Sequence, residues 1–180
     1  MAGARISFTL DDKGFDAGVQ KLGGVLRTGT IRAIGVALVE VVNQRFESAK
    51  DPFGQKWAGL LPAYALIKKG PGILRASGML QRSITFTTSG SQVTVGSNRI
   101  YAAVHQFGAT IKAKTPKGLA FSLGEAGPVG PRGGKSKTGI VRVHVQSVTV
   151  PQRPYLGFGP NDQRAVMDVI AKEIATTFGG

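Results

Sequence analysis

Residues 30–49 read TIRAIGVALVEVVNQRFESA, and this stretch decides the fold. Apolar side chains recur in it at steps of three and four, the spacing that places them along one face of a helix. Those on the main face are Ile31, Ile34, Leu38, Val41, Val42 and Phe46, and Val36 and Val39 widen it. About twenty residues make a helix roughly 30 Å long, enough to cross a small domain, and the polar second half is unlike a membrane span. We therefore predict a core helix at Thr30–Ala49 that ends before Pro52, because proline cannot continue a helix.

The segments on either side of this helix predict a single α+β domain over residues 1–180. Residues 5–10 alternate between polar and apolar, which is typical of a strand, and residues 15–27 have a helical spacing that glycines weaken. After the core helix, the patterns predict a short helix at Ile73–Ile84, a hairpin of Thr85–Thr88 and Gln92–Val95, and a brief helix at Ile100–Phe107 closed by Gly108.

The second half of the chain predicts further strands and a final helix. We expect strands at Thr110–Lys114, Leu119–Leu123 and Ile140–Val150, with a bulge near Gln146 because the alternation changes phase there. Asn161 or Asp162 is the expected cap of the final helix, whose apolar stripe suits it to pack on the core helix: Val166, Val169, Ile170, Ile174 and Phe178. The predicted architecture is an antiparallel sheet packed by a long core helix and a C-terminal helix, with a long basic glycine-rich loop at Glu125–Gly139.

The net positive charge lies in the middle of the chain. Between Pro52 and Asn161 the sequence has fourteen Lys and Arg residues but one acidic residue, Glu125, so this span accounts for the whole formal charge of +13. Such a surface can attract nucleic acid or acidic proteins. Alternatively, the charge serves solubility alone. The basic residues around the glycine-rich loop are the candidates for facing a partner or passing genomic DNA: Lys112, Lys114, Lys117, Arg132, Lys135, Lys137 and Arg142.

The sequence has no recognisable catalytic or metal-binding pattern. It has no cysteine, its two histidines are His105 and His144, and the middle of the chain offers them a single carboxylate. The run from Gly130 to Ser136 lacks the first glycine of a phosphate-binding loop, since that position is Val129. We expect no enzyme, no cofactor and no metal site. The start of the chain has no apolar run of signal-peptide length, so we expect a cytoplasmic product with no membrane partner.

The loop after the core helix combines turn-forming and apolar residues. Its sequence is PFGQKWAGLLPAY at residues 52–64. Because an apolar loop has to be covered, Phe53 and Trp57 either close the end of the core or contact a partner. The first reading is the commoner for such residues, and the sequence leaves both open.

An ordered set of short motifs resembles one bacteriophage family. Phe46 followed by Pro52-Phe53-Gly54, Trp57, Leu60 and Pro62 is similar to its F…P-x-G-x-x-W-x-x-L-x-P signature. Further pieces follow in order: Leu74-x-x-Ser77-Gly78-x-Leu80-x-x-Ser83, Val95-Gly96-Ser97, Tyr101-Ala102-x-x-His105-Gln106-x-Gly108 and Val150-Pro151-x-Arg153-Pro154-Tyr155-Leu156-Gly157. The chain thus resembles the virion-morphogenesis, or tail-completion, family of tailed phages and prophages, including Mu-like ones. The basic loop at Glu125–Gly139 is not part of that pattern.

The resemblance implies a small α+β structural protein of the virion, located at the head–tail junction beside neighbouring neck and tail proteins. It implies a ring of copies, a hexamer, that finishes the tail and prepares it to join the head. We expect the subunit contacts to lie at or directly above six residues: Phe53, Trp57, Tyr101, Arg153, Pro154 and Tyr155. The alternative function is a basic DNA-binding protein of the phage particle.

Overall fold

Helix α1 (Thr28–Ser48) lies at the centre of the fold, with a three-stranded sheet on one side and the C-terminal helix on another. This is a computed structural model that describes residues 4–9, 28–60, 65, 68, 70–123 and 141–178, and only the backbone at 5–9, 120–123, 141–143 and 178. The α+β fold class is confirmed. The predicted helix at residues 15–27 and the loop at Glu125–Gly139 lie outside the described residues, and the extent of the domain over residues 1–180 stays a prediction.

The predicted apolar face of α1 is confirmed, with one exception. All six residues of the main face are buried, and Val39 packs at the margin of the core. Val36 was expected to widen the face but is 57% exposed. It follows Gly35, which packs directly against the ring of Phe86. The sheet therefore lies on the Gly35 side of the helix, and Val36 points away from it.

Helix α1 ends at Ser48, four residues before Pro52, so proline does not terminate it directly. Ala49 adopts a left-handed conformation with φ of 52°, and the Lys50 amide donates to the carbonyl of Arg45 at 3.2 Å. This is the backbone arrangement that commonly satisfies the last carbonyls of a helix. Thr30, the first residue of the predicted helix, is buried inside the first described turn, two residues after α1 begins.

The main sheet is antiparallel, with the strand order β1 (Ala4–Thr9), β3 (Gln92–Ser97), β2 (Ile84–Ser89). The predicted hairpin is confirmed, since β2 and β3 pair from Ile84 opposite Ser97 to Ser89 opposite Gln92. Gly90 in the turn has φ of 56°, a conformation that favours glycine. Val93 and Val95 of the central strand are buried against the face of α1.

The segment predicted as a helix at Ile73–Ile84 is mostly not helical. Only the single turn α2 (Met79–Arg82) forms, because Leu74 has φ of 60° and Gly78 has φ of 69°, which helical residues do not adopt. Leu80 points into the core, whereas Met79 is 43% exposed. The brief helix before Gly108 is confirmed as α3 (Ala102–Phe107).

The next four strands form a two-stranded antiparallel ribbon in two sections. The first section pairs β4 (Ala109–Lys112) with β7 (Ser147–Val150), and the second pairs β5 (Leu119–Leu123) with β6 (Val141–Val145). Between them, residues 113–118 on one side lie opposite Gln146 alone. The strand predicted at Ile140–Val150 is interrupted at Gln146, where the bulge was expected, but the six extra residues lie in the facing chain segment. A bulge needs extra residues in only one of the two segments, and the pattern of one segment cannot say which.

Helix α4 (Pro160–Phe178) packs against α1, as predicted. It begins at Pro160, so neither Asn161 nor Asp162 is its N-cap. Proline is favourable at a first helical position because its missing N–H would be unpaired there. Asp162, in the first turn, reaches back and accepts a hydrogen bond from the Gly159 amide at 2.8 Å. Val166 is buried on the predicted stripe, with Val169 and Ile170 at its margin.

Candidate functional site

The segment at residues 151–159, which we call the proline link, is held by a buried polar network. Arg45 of α1 donates to the carbonyls of Tyr155 at 3.0 Å and Gly157 at 3.1 Å. It also forms a buried ion pair with Asp162, which in turn binds the Gly159 amide. Burial lowers the pKa of the Arg45 guanidinium, and the Asp162 carboxylate opposes that change by attraction. The pair thereby joins α1, the link and the start of α4.

A second buried side chain holds the link to α3. The Gln106 oxygen accepts from the amides of Tyr155 at 3.1 Å and Leu156 at 3.0 Å, while its nitrogen donates to the Leu156 carbonyl at 2.9 Å. The Tyr155 hydroxyl donates to the Ala102 carbonyl at 3.1 Å, and burial raises the pKa of Tyr155, which keeps that hydroxyl a neutral donor. Because the link has no strand or helix pairing, these side chains supply the partners that its buried backbone needs.

The loop that follows α1 is held to the same link. Trp57 Nε1 donates to the Pro154 carbonyl at 2.8 Å, and the Arg153 guanidinium donates to the carbonyls of Ala58 and Gly59, both at 2.8 Å. The Trp57 ring meets the Phe46 ring edge to face at 5.7 Å between centroids, and Tyr155 lies on the other flank of Phe46 at 5.1 Å. These aromatic contacts close one end of the core.

Phe53 stands at the apex of a tightly hydrogen-bonded turn and is 71% exposed. Asp51 Oδ1 accepts from the amides of Phe53 at 2.9 Å and Gln55 at 2.8 Å, and Gly54 completes the turn with φ of 88°. Pro52 packs so closely on Gly157 and Gly159 that a β-carbon at either glycine would overlap it. Phe158, between those glycines, is also exposed. Phe53 directly follows Pro52, and Phe158 lies between Gly157 and Gly159. The two exposed phenylalanines therefore flank the contact between the turn and the link.

The six expected contact residues divide into two groups. Trp57, Arg153 and Tyr155 are buried within the subunit, so these three could contribute to a contact only from beneath its surface, and Pro154 is half-buried. Phe53 and Tyr101 are exposed and can touch another chain directly. The suggestion that both Phe53 and Trp57 close the core is right for Trp57 and wrong for Phe53. The amino-acid types alone cannot separate the two, because both are large apolar residues in a loop.

Other exposed apolar residues near this site were not predicted. Ile100 is 76% and Phe107 is 65% exposed at the two ends of α3, and Phe158 is exposed in the link. The spacing offered a signal, since α3 buries Ala102 and Gln106, and Phe107 follows directly after that buried position.

The expected basic residues are only partly described. Lys112 lies in β4, Lys114 and Lys117 lie in residues 113–118, and all three side chains are exposed. Arg132, Lys135 and Lys137 lie outside the described residues, as does the side chain of Arg142. The segment that carries Arg132, Lys135 and Lys137 joins β5 to β6, and these strands pair at their ends through Leu123 and Val141.

The described residues bring no metal-binding cluster together: within them, no three His, Cys, Asp or Glu side chains are grouped. His105 Nδ1 is buried without a hydrogen-bond partner among these residues. Burial, and after it the charge of Arg153, lower the pKa of His105, so this ring is neutral at pH 7. Across the described part of the chain, no helix is long and apolar enough to span a membrane.

The chain belongs to the phage virion morphogenesis family, whose model matches residues 11–175. It is 26% identical over 178 residues to "Putative capsid assembly protein G" of Escherichia phage Mu, and the match covers 94% of each chain. No solved structure matches it. The resemblance drawn from the motifs is confirmed, and the chain has a structural or assembly role in a phage particle.

Proposed function

We propose that this protein completes the phage tail as a ring of copies, a hexamer, at the head–tail junction. It is assembled in the host cytoplasm, has no enzymatic activity, and contacts the neighbouring neck and tail proteins. Membership in the virion morphogenesis family and similarity to a protein named for capsid assembly support a role in building the particle. The formation of a ring and its position at the head–tail junction are proposed beyond what those comparisons support.

The exposed ring of Phe53 is the observation that carries this proposal. A phenylalanine at the apex of a loop normally folds back onto the body, because leaving it in water forgoes about 1.5–3 kcal/mol of burial. Here the Asp51 hydrogen bonds and the packing of Pro52 on the link fix the turn with its ring outward. A rigid loop presenting an aromatic side chain suits a contact with a second chain, since little entropy is lost on binding.

The proposal is tested by the mass of the purified protein and of the protein in disassembled virions. We expect a closed ring in at least one of the two. Phe53→Ser should weaken the subunit contact by about 2 kcal/mol or more, which is roughly thirtyfold per contact, and should shift the protein toward monomers. Its thermal unfolding should match that of the wild type, because the removed ring is not part of the core.

Met167→Ser is the matched control, since Met167 is exposed on α4 and outside the loop and link. It should assemble as the wild type does. A monomer in solution and in virions alike, or equal effects of the two substitutions, would contradict the proposal.

A further inference from the structure

We propose that the first section of the ribbon, β4 and β7 with residues 113–118, binds the phosphate backbone of duplex DNA. This goes beyond the proposed ring, because it assigns a surface and a partner chemistry that ring formation does not require. The three features that carry it are the sidedness of the ribbon, the anchoring of its lysines and the absence of carboxylates.

The two faces of the β4–β7 section differ in polarity. Side chains alternate between the faces of a strand, and directly paired residues share a face. One face therefore carries Thr110, Lys112, Ser147 and Thr149, all exposed, and the Thr110 and Thr149 hydroxyls lie 3.3 Å apart. The opposite face carries Ala109, Ile111, Val148 and Val150. Lysine and hydroxyl side chains are groups that proteins use to contact phosphates.

Residues 113–118 continue the chain from β4 and are anchored to the facing strand. The Ala113 amide donates to the Gln146 carbonyl at 2.8 Å, and Gln146 Nε2 donates to the Pro116 carbonyl at 3.2 Å. His144 Nδ1 lies 2.8 Å from the Lys117 carbonyl, within hydrogen-bond distance. The backbone that carries Lys114 and Lys117 is thereby anchored within five residues of Lys112.

The charge and the shape favour duplex DNA over other polyanions. Glu125 is the only carboxylate of the sequence from residue 52 to residue 161, and β4, β7 and residues 113–118 contain none, so this section carries no acidic side chain of its own to repel phosphate. A two-stranded ribbon is narrow enough to enter the major groove, which is about 12 Å wide. A single strand would need aromatic side chains for base stacking, and the ribbon sequence from Ala109 to Val150 has one Phe, Tyr or Trp, Phe121.

The test is a salt titration of fluorescently labelled duplex DNA with the purified full-length protein. Three phosphate contacts add about 2.7 to the slope of log affinity against log salt, or roughly fortyfold between 50 and 200 mM. Substituting Lys112→Gln, Lys114→Gln and Lys117→Gln together should remove that part of the slope. The corresponding three Lys→Arg changes should keep it.

Lys50→Gln, Lys56→Gln and Lys172→Gln together form the matched control, because those lysines are exposed on the body and both triple variants lower the net charge equally, from +13 to +10. The control should lose less than about one unit of slope. Absence of duplex binding at 50 mM salt, or equal losses in the two triple variants, would overturn the proposal. So would binding of poly-glutamate in place of DNA with the same lysine dependence, which would assign the surface to an acidic protein.

Discussion

Arg45 places a charge on the apolar face of α1, opposite the second half of the proline link and the start of α4. Its guanidinium donates to two backbone carbonyls and to the Asp162 carboxylate. A buried ion pair of this kind adds little net stability over a well-packed apolar pair, but losing one partner leaves a buried charge. The residue therefore defines the path of the link more than it adds to the total stability.

Arg45→Met should lower the free energy of unfolding by about 3–5 kcal/mol, because Asp162 and the carbonyls of Tyr155 and Gly157 lose their partner. Urea unfolding followed by circular dichroism measures this. The control Arg32→Met removes an exposed arginine of the same helix and should change the value by less than about 0.5 kcal/mol. A loss below about 1 kcal/mol for Arg45→Met would show that the ion pair is open to solvent.

Arg45 also shows how much of the site can be read from the sequence. It follows Val41 by four residues and Val42 by three, so the same spacing that predicted the core face places Arg45 on it. Asp162 was singled out as a cap and does bind the Gly159 amide, from inside the helix. Their pairing was not predictable, because periodicity says which face is buried and nothing about what lies opposite it. The same holds for Phe53 and Trp57, because the tertiary fold decides which of the two side chains is covered by another part of the chain.

At the scale of elements, the spacing between α1 and the sheet is set by a missing side chain. Gly35 is buried in the middle of the helix, and a β-carbon there would overlap the Phe86 ring of β2. The helix thus lies closer to β2 than an alanine would allow. Glycine costs about 1 kcal/mol in a helix interior relative to alanine, and here close packing offsets that cost.

Gly35→Ala should therefore destabilise the protein by about 1–2 kcal/mol, since the overlap with Phe86 outweighs the gain in helix propensity. The same substitution at Gly29, which has no atom within 4 Å of the added carbon, should be neutral or stabilising by up to about 1 kcal/mol. The midpoints of urea unfolding of the two variants, each compared with that of the wild type, measure both effects. Stabilisation by both changes would mean that β2 moves away from α1 without loss.

The helices and strands with an unbroken pattern were the predictable ones. The apolar stripes of α1 and α4 and the β2–β3 hairpin follow from side-chain periodicity and a turn glycine. The segment at Ile73–Ile84 failed because its spacing is helical while Leu74 and Gly78 take left-handed backbone conformations. Such conformations are imposed by packing, as at Gly70, where the carbonyls of Arg75 and Ala76 fill the space of a side chain. Local propensity does not contain that information.

At the scale of the whole molecule, the ribbon joins the body to the segment at residues 124–140. The pairing of Leu123 with Val141 keeps the two ends of that segment adjacent. A much shorter connection can therefore close the hairpin without disturbing the strands. We therefore expect the strands to form whatever the length and charge of the natural segment.

Deleting Ala126–Lys137 and joining the ends with a short glycine link should leave the free energy of unfolding within about 0.5 kcal/mol of the wild type. In the phage, we expect tails that fail to join heads and a fall in infectious titre. A glycine–serine segment of the natural length, which lacks Arg132, Lys135 and Lys137, separates the effect of length from that of charge. Wild-type titre from the deletion would show that the segment is dispensable.

The distance along the chain between Arg45 and its partners has a consequence for the order of events during synthesis. Those partners follow 110, 112 and 117 residues later. A ribosome has therefore made α1, the sheet and the ribbon before Asp162, the ion-pair partner of Arg45, exists. Until then, the Arg45 guanidinium lacks the ion-pair partner that it has in the folded subunit, and burying its charge in the core is unfavourable. The link and α4 complete the subunit last, so a chain still being translated has not yet fixed the turn that presents Phe53.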